Sequence, residues 1–168
     1  DDVIATLAKQ AEREGWLVKI STIDKDIMQL VNSNITIIND VKKVTYDEAG
    51  VKEKFGIPAH LVVDYLALIG DKVDNVPGIP GVGPKTAVKW LNDYRSLDNV
   101  IANAHLIQNK AGLALKNNLQ QLALSKELVT LKTDVKLDLA VEDLKKKLTI
   151  REQLITSLET LGFKSWLN

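Results

Sequence analysis

Apolar and polar positions follow both helical and strand periods in the first third of the chain. An opening helix that ends at Gly15 is predicted by apolar residues at helical spacing, namely Val3, Ile4, Leu7, Ala8 and Ala11. Short β-rich runs predict strands at 16–21 and 35–38 and a third at 44–46, with a polar loop and a short helix after the first. This alternation predicts an α/β fold with a partial, mainly parallel sheet and flanking helices.

From Asp47 onward the pattern is helical. Helices are predicted at 47–55, 61–69, 84–94, 97–103, 113–125 and 149–161. A β-rich run at 128–133 predicts one more strand. The glycine- and proline-rich stretch 70–84 lacks the serine-rich polarity of flexible linkers, so it predicts a structured turn region.

Composition excludes some kinds of site and of protein but does not indicate a binding partner. Lysine plus arginine equals aspartate plus glutamate at 22 each, so bulk charge gives no sign of a nucleic-acid partner. The absence of cysteine excludes disulfides and thiolate metal sites and indicates a reducing cytoplasm. No apolar run approaches the roughly 20 residues of a membrane span. The chain opens on Asp1 without an initiator methionine, inside a helical pattern, so we expect it to begin within a domain.

Carboxylates occur in pairs at three places where elements begin or end: Asp1 and Asp2, Asp24 and Asp26, and Asp71 and Asp74. Hard cations such as Mg²⁺ take carboxylate oxygens, and two such ions can clamp the oxygens of a phosphodiester. Each pair also has an ordinary structural explanation, as partner of a helix dipole, as N-cap or as turn former. Spacing alone does not show whether the three pairs meet.

The segment 78–87 predicts a turn that opens a helix. Gly81 and Gly83 can take positive φ and so permit a very tight turn between two helices. Pro84 suits the first helical position, and the free N–H groups there form a pocket for a phosphate, with Lys85 adding charge. The alternative is a glycine turn between two structural helices. We favour phosphate binding.

Four motifs in order resemble those of the polymerase I type 5′-nucleases. They are DDVI at 1–4, STIDKD at 21–26, GDKVDNVPG at 70–78 and the helix-hairpin-helix segment GVGPKTA at 81–87. The tail 151–167 resembles the end of the same domain, so the resemblance covers essentially the whole chain. The family usually has glycine where Ile23 stands.

The resemblance implies a metal site and a DNA interface. It implies that two Mg²⁺ or Mn²⁺ ions are held, the first by Asp1 and Asp2 and the second by Asp24, Asp26, Asp71 and Asp74. It implies that the hairpin grips duplex DNA through Gly81, Val82, Gly83, Lys85 and Thr86, often with a K⁺ bound to main-chain carbonyls. It also implies a PIN-like nuclease core at 1–58 and a helical, DNA-binding subdomain at 59–168.

The function implied is hydrolysis of phosphodiesters at 5′ ends and flaps, as in primer removal and repair, on flapped or nicked DNA. The family also places an Asp after its first strand, a second Asp, a basic arch and a Glu shortly before the position of Asp1. None of these is among the 168 residues. We therefore expect the remainder of a polymerase I chain as a partner and little or no nuclease activity from this chain alone.

Two other functions remain open. One is a sequence-independent DNA-binding module in which the hairpin acts and the carboxylates are only structural. The other is a metal-dependent RNase of the PIN type, and the helix-hairpin-helix segment counts against it because PIN domains generally lack one.

Overall fold

A computed structural model of the chain describes residues 1–145 and 150–166. The helices within those residues are α1 (Asp2–Arg13), α2 (Glu48–Phe55), α3 (Val62–Ile69), α4 (Pro84–Tyr94), α5 (Leu97–Ala102), α6 (Lys110–Asn117), α7 (Leu119–Val129) and α8 (Arg151–Thr160). The strands are β1 (Val18–Ser21), β2 (Ile35–Asn39) and β3 (Val44–Tyr46). Short 3₁₀ helices lie at Asp26–Leu30, Ala59–Leu61, Ala104–Leu106, Val141–Leu144 and Lys164–Trp166. The predicted mixed α/β class is confirmed.

The sheet has the order β1-β2-β3. β1 runs parallel to β2, with Val18 opposite Ile35, and β3 returns antiparallel to β2 through a turn in which Lys43 has φ +53°. Of the two strand pairs described, one is therefore parallel and one antiparallel. Ile35 and Ile37 point to the interior because alternate residues of a strand face opposite sides of the sheet.

The chain divides into two compact units, Asp1–Leu137 and Asp138–Asn168. The first unit contains the sheet, α1 to α7 and one core. Its largest fully buried side chains are Ile27, Met28, Ile35, Ile37, Ile57, Leu66, Leu68, Leu91, Leu97, Leu115, Leu122 and Val51. In the described part of the second unit lie Val141–Leu144, α8 and Lys164–Trp166, and these elements bury no side chain. None of the helices described is long and apolar enough to cross a membrane.

Two predicted elements differ from the structure. The helix predicted at 113–125 is two helices, α6 and α7, with Asn118 between them. The strand predicted at 128–133 is wrong, because α7 continues through Val129 and buries Leu122, Ser125 and Val129 on one face. After α7, the backbone amides of Leu131, Lys132 and Val135 donate hydrogen bonds to side chains rather than to a neighbouring strand. The helix predicted at 149–161 corresponds to α8, and its first predicted residue, 149, lies outside the described residues. Residue 167, the last of the tail 151–167, also lies outside them.

Candidate metal centre and nucleic-acid interface

The loop between α3 and Ile79 holds two of the predicted carboxylates. Asp71 and Val76 exchange backbone hydrogen bonds of 2.9 and 2.7 Å, which pinches the loop at its base. The Oδ1 atom of Asp71 accepts the amide of Val73 at 2.7 Å, so its side chain is fixed by its own loop. Asp71 is buried, whereas Asp74 at the tip is exposed. The loop thus offers one oriented carboxylate and one accessible carboxylate.

The loop after β1 supplies a third carboxylate. Asp24 Oδ1 accepts the amide of Asp26 at 2.9 Å, and Thr22 Oγ1 accepts the amide of Asp24 at 3.1 Å. These bonds start the 3₁₀ helix at Asp26 and aim its side chain inward. The Oδ1 atom of Asp26 is buried and accepts no hydrogen bond. A buried carboxylate oxygen of this kind is costly unless a cation faces it.

The two loops meet. Asp26, Asp71 and Asp74 each offer one carboxylate oxygen within 4.8 Å of the others. Burial is the main cause that raises the pKa of Asp26 above its usual range; the charge of Lys25 opposes this, and the charges of Asp24 and Asp71 add to it. Three convergent carboxylates, one of which has a buried oxygen that accepts no hydrogen bond, fit a hard divalent cation. The group is therefore a candidate metal centre.

Lys25 also belongs to this centre, although no role is predicted for it from the sequence. Its ammonium pairs with Asp71 Oδ2 and lies 3.4 Å from Asp26 Oδ1. The hydrogen bond from Lys25 lowers the pKa of Asp71 in spite of burial. Burial acting alone would lower the pKa of Lys25, but the hydrogen bond to Asp71 and the charges of Asp26 and Asp71 together raise it.

The other predicted ligands lie beside the centre rather than in it. Asp1 and Asp2 line a cleft of about 380 Å³ together with Asp26 and Asp74. Asp1 is exposed, and Asp2 Oδ1 accepts the amide of Lys132 at 3.0 Å. Asp24 is engaged with the amide of Asp26 and does not join the group of three.

One wall of the cleft is formed by the strap (residues 129–135), which consists of the last residue of α7 and the non-helical chain that follows it. The Gln29 side chain donates to the carbonyl of Val129 at 2.9 Å and accepts the amide of Leu131 at 3.1 Å. The buried Thr6 hydroxyl accepts the amide of Val135 at 3.2 Å. The strap's Lys132 amide in turn holds Asp2. The sequence pattern could not reveal these bonds, because Gln29 and Thr6 are ordinary helix residues until the fold places the strap beside them.

The connection from α3 to α4 runs from residue 70 to residue 83, in agreement with the structured turn region predicted at 70–84 but longer than a single tight turn between two helices. Gly81 has φ +77°, as expected, but the expectation for Gly83 is wrong: it is extended, with φ −105° and ψ −178°, and precedes α4 as its N-cap. A cap residue leaves the helix in just this extended conformation, so no positive φ is needed there. Pro84 occupies the first turn of α4, as predicted.

The remaining hairpin residues differ in exposure. Val82 is buried, Thr86 is half-buried, and Lys85 is exposed. The carbonyl of Gly83 accepts the amide of Ala87 at 3.0 Å, and no side chain caps the start of α4. A helix start without a side-chain cap and with an adjacent exposed lysine is suited to a phosphate group.

Two protein-family models match adjacent parts of the chain. The 5′-3′ exonuclease N-terminal resolvase-like domain matches residues 1–56, and the 5′-3′ exonuclease C-terminal SAM fold matches residues 57–152. The 5′-3′ exonuclease of Aquifex aeolicus is 44% identical over 167 residues, which cover 99% of this chain and 57% of that protein. DNA polymerase I of Pseudomonas aeruginosa is 45% identical over 178 residues, which cover 100% of this chain and 19% of that protein. The chain thus spans between a fifth and three fifths of the length of these relatives.

Solved structures share the fold. The bacteriophage T5 D15 protein co-crystallised with metal ions has a TM-score of 0.70 at 19% identity, with 76% of this chain and 49% of that chain covered. The T5 D15 flap endonuclease in a pseudo-enzyme–product complex with DNA and metal ions has a TM-score of 0.71 at 18% identity, with 76% and 48% covered. At these identities the likeness concerns the fold alone.

Proposed function

This chain belongs to the 5′-3′ exonuclease family, and from that membership we propose that its acidic centre serves the metal-dependent hydrolysis of phosphodiester bonds in DNA. The observation that carries the proposal is the convergence of one carboxylate oxygen each from Asp26, Asp71 and Asp74 within 4.8 Å. The buried Oδ1 of Asp26 accepts no hydrogen bond and has the Lys25 ammonium 3.4 Å away. The T5 relative with this fold is a flap endonuclease described with DNA and metal ions.

We propose Mg²⁺ or Mn²⁺ as the ion, because the three donors are carboxylates and these are the ligands that hard cations prefer. Bound there, a divalent ion would supply positive charge near the phosphate and would lower the pKa of a coordinated water. Asp26 and Asp71 would hold the ion from the buried side, and Asp74 from the solvent side. Asp1 and Asp2 line the same cleft as Asp26 and Asp74 and would serve the other ion, for which Asp2 would have to release the Lys132 amide. Asp24 would join Asp26, Asp71 and Asp74 only after releasing the Asp26 amide.

The hairpin is proposed to position the DNA rather than to read its sequence. The N–H groups at the start of α4 and the ammonium of Lys85 would hold one backbone phosphate, since contacts of this kind are independent of base identity. Gly81, Val82, Gly83 and Thr86 would shape the turn around that phosphate. A K⁺ on main-chain carbonyls of the turn would strengthen the same contact.

The wider role is proposed from the relatives. Residues 1–58 would form the part of the nuclease core that carries the metal centre, and residues 59–168 the DNA-binding subdomain. The substrate would be a 5′ flap or nick in duplex DNA, met in the cytoplasm, and the partner would be the remainder of a polymerase I chain. The 168 residues alone would cleave weakly, because further carboxylates of the family are not among them.

Metal binding tests the first part of the proposal. We expect the chain to bind Mn²⁺ in isothermal titration, and Asp71→Asn to weaken that binding by at least about tenfold because one charged ligand is lost. Asp93→Asn, which neutralises an exposed carboxylate of α4, is the matched control and should leave the affinity unchanged. Measurable Mn²⁺ binding of equal affinity in the native chain and Asp71→Asn would contradict the metal centre.

DNA binding and cleavage separate the proposal from a module that only binds DNA. In EDTA, Lys85→Ala should weaken binding to a nicked duplex. It should also make the slope of log binding constant against log salt concentration shallower by about 0.9, the value for one phosphate contact. Lys52→Ala, which removes an exposed lysine of α2, is the control and should change neither quantity. Asp74→Asn should leave that binding intact or improve it, and should abolish any cleavage of a 5′-flap substrate in Mg²⁺ or Mn²⁺. Strong cleavage by Asp74→Asn would exclude the proposed chemistry.

A further inference from the structure

We propose that Lys25 is a built-in counter-cation of the acidic centre, which a divalent ion must displace from Asp26 and Asp71 before it can bind. The inference rests on the proposed function, because it concerns the same carboxylates. It assigns to Lys25 a positioning role that limits metal affinity, and it makes the lysine a determinant of how much free metal the centre needs.

The geometry places the lysine on two of the three carboxylates that form the centre. Its ammonium pairs with Asp71 Oδ2 and lies 3.4 Å from Asp26 Oδ1, the buried oxygen that accepts no hydrogen bond. Both carboxylates belong to the group of three whose oxygens converge. A divalent ion held by the same carboxylates needs the space that the ammonium occupies between Asp26 and Asp71, so the two cations compete.

The local chain allows the side chain to move while its backbone stays fixed. The Lys25 carbonyl accepts the amide of Met28 at 3.1 Å, which anchors the start of the 3₁₀ helix. The Lys25 side chain is 39% exposed, whereas that of Asp71 is 6% exposed. An unbranched four-carbon stem next to solvent can swing away when a stronger cation arrives. The carboxylates remain oriented by their own loops.

Competition also explains how the carboxylates can lie so close together. Asp26 and Asp71 would repel each other if both were ionised without a cation between them. The ammonium offsets that repulsion and keeps the centre assembled. When the divalent ion binds, it offsets the repulsion and holds the carboxylates together in place of the lysine. Its binding free energy is then less favourable by the free energy needed to break the two ion pairs of Lys25.

The test uses Mn²⁺ alone as the probe and the 168-residue chain. Lys25→Met removes the charge and keeps the apolar stem, and Lys25→Arg keeps the charge. Lys72→Met is the matched control: Lys72 adjoins Asp71 in sequence, is exposed, and makes no ion pair within the described residues. Isothermal titration at one pH should show Lys25→Met binding Mn²⁺ about tenfold more tightly than the native chain. Lys25→Arg and Lys72→Met should each bind within about twofold of the native affinity.

Thermal unfolding gives a second readout that does not depend on cleavage. In EDTA, Lys25→Met should have a lower Tm than the native chain because Asp71 loses its partner. Saturating Mn²⁺ should then raise the Tm of Lys25→Met by more than it raises that of the native chain. A purely structural lysine would lower the Tm without changing the Mn²⁺ affinity, and that result would overturn the inference.

The outcomes separate this inference from the proposed function. Binding of Mn²⁺ that is weakened by Asp71→Asn but unchanged in Lys25→Met refutes the role of Lys25 and keeps the metal centre. Binding by neither the native chain nor Lys25→Met refutes both. Binding by Lys25→Met alone supports both, because the native lysine then excludes the ion.

Discussion

Gly78 lies directly against the backbone of Gly70, so that a β-carbon on Gly78 would overlap the amide of Gly70 and the carbonyl of Ile69. A β-carbon on Gly70 would in turn lie 2.5 Å from the carbonyl oxygen of Val76. The two glycines close the loop that carries Asp71 and Asp74. The position of the candidate metal centre therefore depends on two residues that have no side chain.

We expect Gly78→Ala to destabilise the protein by about 3 kcal/mol or more, because it adds a backbone clash to the strain of a φ of +60°. Gly81→Ala is the matched control, since Gly81 also has positive φ but meets nothing within 4 Å, and it should cost only about 1 kcal/mol. Urea unfolding measures both variants, and Mn²⁺ titration should show weakened binding only for Gly78→Ala. Equal losses of stability would show that the contact between the glycines does not matter.

A second prediction concerns Asp64, a buried carboxylate in α3. Its Oδ2 accepts the amide of Leu97 at 2.8 Å, and its Oδ1 lies 3.1 Å from the ammonium of Lys126, so it joins α3 to α5 and α7. Asp64→Ala should destabilise the protein by about 2–4 kcal/mol, because a buried amide and an ammonium lose their acceptor.

Thermal and urea unfolding would measure this loss. Asp98→Asn serves as the control, since Asp98 is 84% exposed and 3.7 Å from the same ammonium, and its effect should stay below about 0.5 kcal/mol. A small loss for Asp64→Ala would mean that water replaces the carboxylate at the start of α5.

A third prediction concerns Gln29, which binds the strap on both sides of its Thr130. Gln29→Ala should cost about 1–2 kcal/mol and speed hydrogen exchange at the Leu131 amide, because that amide loses its acceptor. The amide of Val100 in α5, bonded to the carbonyl of Ser96, should keep its protection in the same spectra. Unchanged exchange at Leu131 would show that the strap is held by other contacts.

A fourth prediction concerns acid. The hydrogen bond from Lys9 lowers the pKa of Glu12 below its ordinary value of 4.5; Asn32 acts in the same direction, and burial opposes both. The unfolded chain therefore takes up this proton more readily than the folded chain. The stability that Glu12 contributes is present above the unfolded pKa and is lost as the pH falls through the folded pKa.

Native protein should accordingly lose more stability than Glu12→Gln as the pH is lowered from about 5 to about 3, because glutamine has no proton to take up. Urea unfolding at several pH values measures the difference. Parallel curves for the two proteins would show that Glu12 has the same pKa in both states.

Much of the fold could be predicted from periodicity. The range of α4 was predicted to the residue, and β3 likewise, because glycine, proline and charged residues mark their ends. The 128–133 strand was predicted wrongly because leucine, valine and threonine suit both a strand and the buried face of a helix. Only the packing of α7 on α3 decides between them.

The candidate centre was predicted in part. Asp26, Asp71 and Asp74 are among the six carboxylates predicted as metal ligands, and the structure brings these three together. Their meeting depends on two loops that lie far apart in the sequence, so no local pattern could establish it. Lys25 was missed because a lysine between two aspartates looks like an ordinary solvated charge until its ammonium is placed on Asp71.

The strap sets an order of events during synthesis. The hydrogen bond between Thr6 and Val135 spans 129 positions of the chain, and the bond between Asp2 and Lys132 spans 130. A ribosome must therefore release nearly the whole first unit before this wall of the cleft can close. Contacts of such long range also slow folding, because a large loop must be closed before they form. The nascent chain consequently carries its exposed carboxylates for some time before the cleft around them exists.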